Sequence, residues 1–428
     1  MFVDVNARPR RIAVISVHTS PLDQPGTGDA GGLNVYVLET AKRLARRGVE
    51  VDIFTRATRS DLPTSVPIAP GVTVRHIEAG PFGELRKEDL PAQMCAMTSG
   101  MLHSVAKDGR GYDLVHSHYW LSGHVGWLAS ERWGVPLVHT MHTLAKVKNE
   151  ALAEGDVPEP RVRIIGEEQV VSAASALVAN TVQEAVDLES FYAAPGERVV
   201  VAHPGVDLDT FHPADGRRAA RRRLGIREEA QMLLFVGRIQ PLKAPDVLIN
   251  AAAELLALDP SMRERLHVVI CGGPSGNGLE HPESMELLAT ARGVDVDFVP
   301  PQSRESLADY YRAADLVVVP SYSESFGLVA IEAQACGTPV IAAAVGGLRT
   351  AVSHDVSGIL VEGHDPRVWA ARMHEFLRCP ICPRRLSAGA VRHAAQFTWD
   401  HTVDSLLDAY RIARGYALAE QRARAGND

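Results

Sequence analysis

The stretch Asp315 to Pro339, DLVVVPSYSESFGLVAIEAQACGTP, constrains this chain more than any other. Leu316 to Val319 is a short apolar run rich in β-branched residues and reads as a strand buried in a parallel sheet. Ser321 to Ser325 is small and polar, so it reads as a loop. Phe326 to Cys336 contains no proline, with Gly337 at a helix C′ position and Pro339 just beyond, and reads as a helix. Strand, small-residue loop and helix N-terminus in that order make an anion site. The first-turn amides have no partner within the helix and carry the positive end of its dipole.

Two carboxylates, Glu324 and Glu332, flank this turn. Neither suits a phosphate, because both are negative. Both can accept hydrogen bonds from hydroxyls on either side of one. A diphosphate flanked by hydroxyl-rich groups is a nucleotide sugar. A plainer reading makes Glu324 an N-cap carboxylate and Glu332 a solvated helix residue.

The chain has 428 residues, enough for two domains of about 200 residues each. With 46% apolar residues it can fill two cores. Charged residues at 22% and a net charge of −8 argue against general nucleic-acid binding. Local basic clusters at Arg8, Arg10 and Arg11, and at Arg217, Arg218, Arg221, Arg222 and Arg223, read as solvated surface; the second could also face a membrane or a polyanion. Five cysteines are too few and scattered for a disulfide framework. Cys379-Pro-Ile-Cys382 is a lone CxxC without a zinc-spaced histidine pair, so chance or a packing role is expected over metal or redox work. The first apolar run, Ile12 to Val17, is strand-length, and no run approaches the roughly 18 residues of a membrane span. A cytoplasmic protein without an integral membrane segment is expected.

Along the chain, Ile12 to Ser20 reads as a strand, followed by the glycine-rich loop Gly26 to Gly32, a helix from Leu33 and a strand from Val49 to Thr55. That βαβ unit puts the loop at the carboxyl end of its first strand, where ligands bind. The glycines do not follow GxGxxG, which disfavours a nicotinamide oxidoreductase. His18 ends the first strand. Residues 57–90 are Pro-rich and irregular, with a strand from Val72 to Ile77. Helix Leu90 to Val105, strand Leu114 to His118, helix Ser122 to Trp133 and strand Val135 to Met141 follow. His116, His118, His139 and His142 gather at these strand ends without a zinc-like spacing; His142, just past its strand, is the one placed to reach a bound sugar. A helix from Arg161 to Ala176, strand Leu177 to Asn180, helix Gln183 to Tyr192 and strand Val199 to Ala202 close the first half. His203 to Asp209 reads as a linker.

The pattern then restarts with strand Met232 to Val236. Arg238 and Lys243 lie in the loop after it, where two cations suit a diphosphate. Strand Val268 to Cys271, a second glycine loop from Gly272 to Gly278, strand Val296 to Val299, helix Arg304 to Ala314 and the Asp315 stretch follow. Strand Val340 to Ala343, the Gly346-Gly347 turn, strand Ile359 to Val361 and three helices complete it. Asp207-Leu-Asp209 and Asp295-Val-Asp297 read as turns. Two βα halves imply an α/β protein of two doubly wound domains with the ligand cleft between them.

Glu324 to Glu332, continued by Ala-x-Ala-Cys-Gly-Thr-Pro-Val, resembles the E-x7-E signature of retaining glycosyltransferases of the two-Rossmann (GT-B) architecture, family GT4. The stretches His18-Thr-Ser-Pro-Leu-x-Gln24-Pro25 and Gly28-Asp29-Ala-Gly-Gly32-Leu-Asn34-Val-Tyr are similar to one subgroup. Its members move N-acetylglucosamine from UDP-GlcNAc to 1D-myo-inositol 3-phosphate in mycothiol biosynthesis. The similarity spans Ile12 to about Trp399. It implies an acceptor domain over 1–204, a nucleotide-sugar domain over 205–399, and a C-terminal helix, 400–428, packing back on the first.

Carried over by position, the resemblance assigns acceptor contacts to His18, Asp29, Ala30, Gly31, Gly32, Leu33, Asn34, Lys87, Tyr119, Thr143 and Arg163. Two cations and two hydroxyls among them suit a phosphate dianion. It assigns donor contacts to Gln24, Pro25, Gly32, Arg238, Lys243, Gln302, Glu324 and Glu332. It also implies Mg²⁺ held by backbone oxygens of Tyr311, Arg312 and Ala314 with Thr338 nearby, and a homodimer. Double displacement would need a carboxylate nucleophile, and none stands out in the first-domain loops. Front-face substitution is the expectation, with His142, Arg238, Lys243 and Glu324 as the catalytic group. Sucrose-phosphate synthase-like transfer, a lipid-linked inositol mannosyltransferase and a non-catalytic nucleotide-sugar sensor remain alternatives.

Overall fold

The computed structural model describes residues 8–150, 152, 157–275 and 283–425. The last residues of the second glycine loop, Gly276 to Gly278, lie outside the described residues.

Two sheets organise the chain. The first has eight strands: β1 (Arg11–Ile15), β2 (Glu50–Arg56), β3 (Ser65–Ala69), β4 (Val72–Ile77), β5 (Leu114–His118), β6 (Leu137–Thr140), β7 (Ala176–Ala179) and β8 (Val199–Val201). Their order is β3-β4-β2-β1-β5-β6-β7-β8, and all pairs are parallel except β3 with β4. Around them lie α1 (Gly32–Arg46), α2 (Met94–Asp108), α3 (Trp120–Trp133), α4 (Ala145–Glu150), α5 (Arg161–Ala173) and α6 (Val182–Tyr192). The second sheet comprises β9 (Gln231–Val236), β10 (Leu266–Cys271), β11 (Val296–Val299), β12 (Leu316–Val319), β13 (Val340–Ala343) and β14 (Gly358–Val361). It is parallel throughout the described pairs, in the order β11-β10-β9-β12-β13-β14. Its helices are α7 (Arg217–Leu224), α8 (Pro245–Leu258), α9 (Ser284–Arg292), α10 (Arg304–Ala313), α11 (Leu328–Ala335), α12 (Leu348–Ala351), α13 (Pro366–Arg378) and α14 (Cys382–Ala394). A final helix, α15 (Trp399–Ala425), returns to the first sheet.

The central strands β1, β5 and β12 are buried along their whole length because helices cover both faces. Each sheet has one strand, β1 or β9, where the order reverses, and the loops there diverge to leave a crevice. α15 belongs to the first core despite its place in the sequence. Val403, Leu406, Ala409, Tyr410 and Ala413, spaced three and four apart, pack with Ile12, Val14 and Val37.

Several local expectations change. β1 stops at Ile15, because the Ser16 hydroxyl turns to donate to the Thr19 carbonyl (2.9 Å) and starts the loop. The Pro-rich segment contains β3, an edge strand, where Pro67 costs little. The expected helix from Leu90 begins as a 3₁₀ turn, Leu90–Gln93, and continues as α2. α4 was not anticipated. α11 begins at Leu328, two residues late, because Gly327 takes the left-handed conformation at φ +103°. Asp297 is in β11 and not in a turn, whereas Asp207 holds a turn by accepting from the Asp209 amide and the Thr210 hydroxyl. The basic helix α7 is no free cationic face: Arg217 and the buried Arg221 pair with Asp315, Arg223 with Asp215 and Asp309, and Arg218 with Glu228.

The halves meet through polar contacts beside the cleft. The Gln24 side-chain amide donates to the Pro301 carbonyl at 3.2 Å. Arg304, the first residue of α10, pairs at 2.9 Å with Glu39 of α1, a carboxylate that is almost wholly buried. Its other nitrogen lies 3.6 Å from Asp207. Glu39 also pairs with Arg43 and lies 3.8 Å from Lys42 on its own helix, so losing Arg304 removes the ion pair that bridges the halves while Glu39 stays paired within α1, and the contact between the halves weakens. Glu39→Gln or Arg304→Gln is expected to raise the radius of gyration in small-angle scattering, with a double-mutant interaction of about 0.5–3 kcal/mol. Additive effects would show that the pair does not hold the halves.

Candidate functional site

A cleft of about 1630 Å³ runs between the carboxyl ends of the two sheets. Single-ligand pockets are commonly about 300–1,000 Å³, so this one has room for two substrates. On the first half it is lined by the loop after β1, the ends of β5 and β6, and the starts of α5 and α6. On the second half the lining comes from the loops after β9, β10, β11, β12 and β13.

The first-half wall gathers Lys87, Tyr119, Thr143 and Arg163. Arg163 donates to the Thr143 hydroxyl at 2.8 Å and to Glu167 at 2.7 Å, and pairs with Glu159 at 2.8 Å. Its guanidinium carbon is 5.0 Å from the Tyr119 ring centroid. Burial alone would favour loss of its proton, but Tyr119, Glu167 and Glu159 outweigh burial and raise its pKa. Lys87 lies 2.6 Å from Asp29, and Arg238 reaches the same carboxylate from the second half at 3.6 Å. Burial lowers the Lys87 pKa, partly offset by Asp29. His18 lies against Tyr119 at 4.5 Å between ring centroids. Desolvation first, then the positive charge of Lys87, holds its imidazole well below the usual range.

Gly31, Gly32, Leu33 and Asp29 of the glycine loop line the cleft with Gln24 and Pro25. Ala30 and Asn34 do not. Ala30 is buried, and the Asn34 amide donates to the Thr19 hydroxyl (2.9 Å) and the Ser20 carbonyl (2.5 Å) while its oxygen accepts from the Gly31 amide (3.0 Å). Asn34 therefore shapes the loop and caps α1.

The histidines resolve into pairs. His116 bridges the Tyr410 and Thr140 hydroxyls at 2.9 Å each, His139 meets the Ser117 hydroxyl at 2.7 Å, and the rings of His118 and His142 meet at 2.9 Å. Burial pushes His116 and His142 down to about 3, so both are neutral near pH 7. His142 lines the cleft and the other three do not. Tyr119 and His142, at the ends of β5 and β6, have φ of +71° and +61°. Non-glycine residues there carry strain that the surrounding structure must hold, a feature concentrated at functional sites.

On the second half, Arg238, Lys243, Gln302, Glu324 and Glu332 line the opposite wall, with the amides opening α11 between the two carboxylates. Arg238 donates to Ser275 at 3.3 Å, and burial lowers its pKa. Lys243 pairs with Glu324, so this carboxylate is not an N-cap. Glu332 is buried, not solvated, and accepts from the Tyr311 hydroxyl at 3.0 Å. Desolvation pushes it up to about 7, despite the opposing charge of Arg304. The Gly346-Gly347 turn sets this loop. The Gly347 amide donates to the Glu324 carbonyl at 2.8 Å, and a Cβ on Gly346 or Gly347 would fall 2.4 Å from that carbonyl or 2.3 Å from the Phe326 Cα.

The residues expected to hold Mg²⁺ do not fit a hard divalent cation as placed. Thr338 already donates its hydroxyl to the Tyr311 carbonyl at 2.6 Å, which engages two of the four expected oxygens with each other. The set contains no carboxylate. Among the described residues no group of three or more His, Cys, Asp or Glu forms a metal site. Among the same residues, no helix is long and apolar enough to cross a membrane.

Sequence reasoning missed Glu184 and the Glu39–Arg304 pair. Glu184 lines the cleft, accepts from the Asn180 amide at 3.0 Å, and is pushed by burial to about 7. The spacing Thr181-x-x-Glu184 is a capping-box signal that marks the start of α6, though not its place in the cleft.

Residues 31–205 match the model of the glycosyl transferase 4-like domain, and residues 216–393 that of glycosyl transferases group 1. The chain is 62% identical to the D-inositol 3-phosphate glycosyltransferase of Geodermatophilus obscurus, over 98% of this chain and 94% of that one. It is likewise 62% identical to the enzyme of that name from Thermobispora bispora, over 95% of each. The chain belongs to the D-inositol 3-phosphate glycosyltransferases. It is an enzyme, a hexosyltransferase of family GT4, which sets aside the non-catalytic sensor and the nicotinamide oxidoreductase. Among solved structures it is similar to sucrose-phosphate synthase from Thermosynechococcus elongatus, with a TM-score of 0.85, 32% identity and coverage of 94% of this chain and 98% of that one. It shares the GT-B fold with Anabaena Alr3699/HepE in complex with UDP-glucose, with a TM-score of 0.71, 19% identity and coverage of 93% and 98%.

Proposed function

We propose that this transferase moves N-acetylglucosamine from UDP-GlcNAc to 1D-myo-inositol 3-phosphate with retention, giving the GlcNAc–inositol phosphate that enters mycothiol assembly. The observation that carries the reading is the presence of two anion sites on opposite walls of one cleft. Lys87 and Arg163, with the Tyr119 and Thr143 hydroxyls, suit a phosphate monoester; Arg238 and Lys243, with the α11 amides, suit a diphosphate. The names of the relatives favour the inositol phosphate acceptor.

In this reading Glu332 accepts from the ribose hydroxyls and Glu324 orients the sugar hydroxyls. Arg238, Lys243 and the α11 N-terminus stabilise the charge that grows on the leaving diphosphate as the anomeric C–O bond breaks. Of the carboxylates on the first-half wall, Asp29 and Glu159 are held in ion pairs, Glu184 in a helix cap and Asp187 by the Gln183 side-chain amide at 2.9 Å, while Glu84 and Glu88 are exposed at the rim; this favours front-face substitution over a carboxylate nucleophile. The acceptor hydroxyl enters on the face the diphosphate leaves and gives its proton to a diphosphate oxygen. Neutral His142 positions the sugar as a hydrogen-bonding group.

Release of UDP from UDP-GlcNAc by the purified protein should depend on 1D-myo-inositol 3-phosphate, with inositol at least about tenfold poorer, since losing a charge-assisted contact costs about 1.5–3 kcal/mol. Preference for fructose 6-phosphate would keep the donor site and move the acceptor assignment to the sucrose-phosphate type. Glu332 must be ionised to accept two hydroxyls, and its pKa is raised to about 7. The affinity for UDP-GlcNAc, whose diphosphate does not itself titrate near neutrality, should therefore fall as pH drops through 7, by up to about tenfold per unit. Calorimetry should show Glu332→Gln weaker and flat over that range. An equally steep profile in the variant would remove Glu332 from the role.

A further inference from the structure

The Cys379-Pro-Ile-Cys382 run lies outside the cleft, where α13 ends and α14 begins. The expectation of a mere packing role is overturned, because the two sulfurs are bonded to each other, with the Cα atoms 5.5 Å apart. We propose that this pair is a thiol–disulfide exchange site for low-molecular-weight thiols and their disulfides, with Cys379 as the attacking sulfur.

Three observations carry the assignment. Cys379 lies three residues before the first residue of α14, a thirteen-residue helix, and the Cys382 backbone amide donates to its sulfur at 3.2 Å. A thiolate there gains a hydrogen bond and the positive end of the dipole, which lowers the pKa of a thiol and makes it a better nucleophile near neutrality. Arg384 and Arg385 in the first turn add positive charge. Both cysteines are half-buried, Cys382 against the second core, and Pro380 and Ile381 between them are exposed, Ile381 at 69%, so the pair is reached from the Cys379 side. Finally, the other cysteines lack this setting. Cys271 and Cys336 are buried, with their thiols pushed up by burial to about 11 and about 12, and Cys95 is exposed with no disulfide partner.

The exchange balances without a metal or further oxidant. The Cys379 thiolate attacks one sulfur of a small disulfide, a mixed disulfide forms, and one small thiolate leaves. Cys382 then loses its proton and attacks the Cys379 sulfur, expelling the second thiolate. Two electrons pass from the protein dithiol to the small disulfide, and two small thiols are released. Reduction runs the same steps in reverse.

The test uses the full chain carrying Cys95→Ser, equilibrated without denaturant against glutathione and glutathione disulfide at varied ratios, then alkylated and weighed. The expected result is a single reversible two-thiol transition. In that background Cys382→Ser should take up one glutathione from glutathione disulfide at least about tenfold faster than Cys379→Ser does. A pair that opens only in denaturant, thiols that stay reduced under glutathione disulfide, or equal rates for the two single variants would each overturn the proposal.

Discussion

Crowding of positive charge inside a cleft is the constraint on which the rest of this structure depends. Lys87, Arg163, Arg238 and Lys243 face one enclosed space, in a chain whose net charge is −8. Like charges gathered in one cleft repel, and Arg238 opposes the charge on Lys87. Carboxylates offset that repulsion: Asp29 lies between Lys87 and Arg238, Glu324 is paired with Lys243, and Glu159 and Glu167 hold Arg163. Parallel sheets make this arrangement possible, because their loops and helix N-termini converge at the carboxyl edges. The same edges also hold the strained backbones of Tyr119 and His142.

The two walls are separate pieces of chain that act together only when the halves are in contact. Asp29 answers charges from both walls, and Glu39 on α1 is buried against Arg304 of the second half. α15 follows the last helix of the second half and fills the first core, with Asp400 3.9 Å from Arg43 of α1. On the proposed reading, a substrate anion on either wall relieves repulsion within the cleft, so binding and closure favour each other.

Much of the second half was legible because its signal is local. Strand β12, the small-residue loop and the helix that stops before Gly337 follow one another within a single stretch, and Glu324 and Glu332 sit in it at fixed spacing. The plainer readings of both carboxylates failed for reasons of tertiary structure: Glu324 finds Lys243, and Glu332 is buried beneath Tyr311. The Gly346-Gly347 turn read as punctuation, whereas its amide and missing side chains hold the Glu324 loop. Glu39 and Arg304 are 265 residues apart, and no local pattern joins them. The histidines were partly legible. Their strand positions marked the sheet edge, but only the packing of His116 on Tyr410 and of His139 on Ser117 separates structural rings from His142 at the cleft.

What unites the account is a division of labour in which the leaving-group side of the sugar supplies the chemistry. On the proposed reading, the second-half cations and the start of α11 hold the diphosphate, and Asp29, Glu159 and Glu184 on the first-half wall are held in pairs or a cap. The measurement that bears most directly on this is the anomeric configuration of the first product formed from UDP-GlcNAc, read by proton NMR during turnover. The account predicts the α configuration from the first turnover, with a small anomeric coupling. A β product would contradict it, because inversion requires attack from the face opposite the diphosphate.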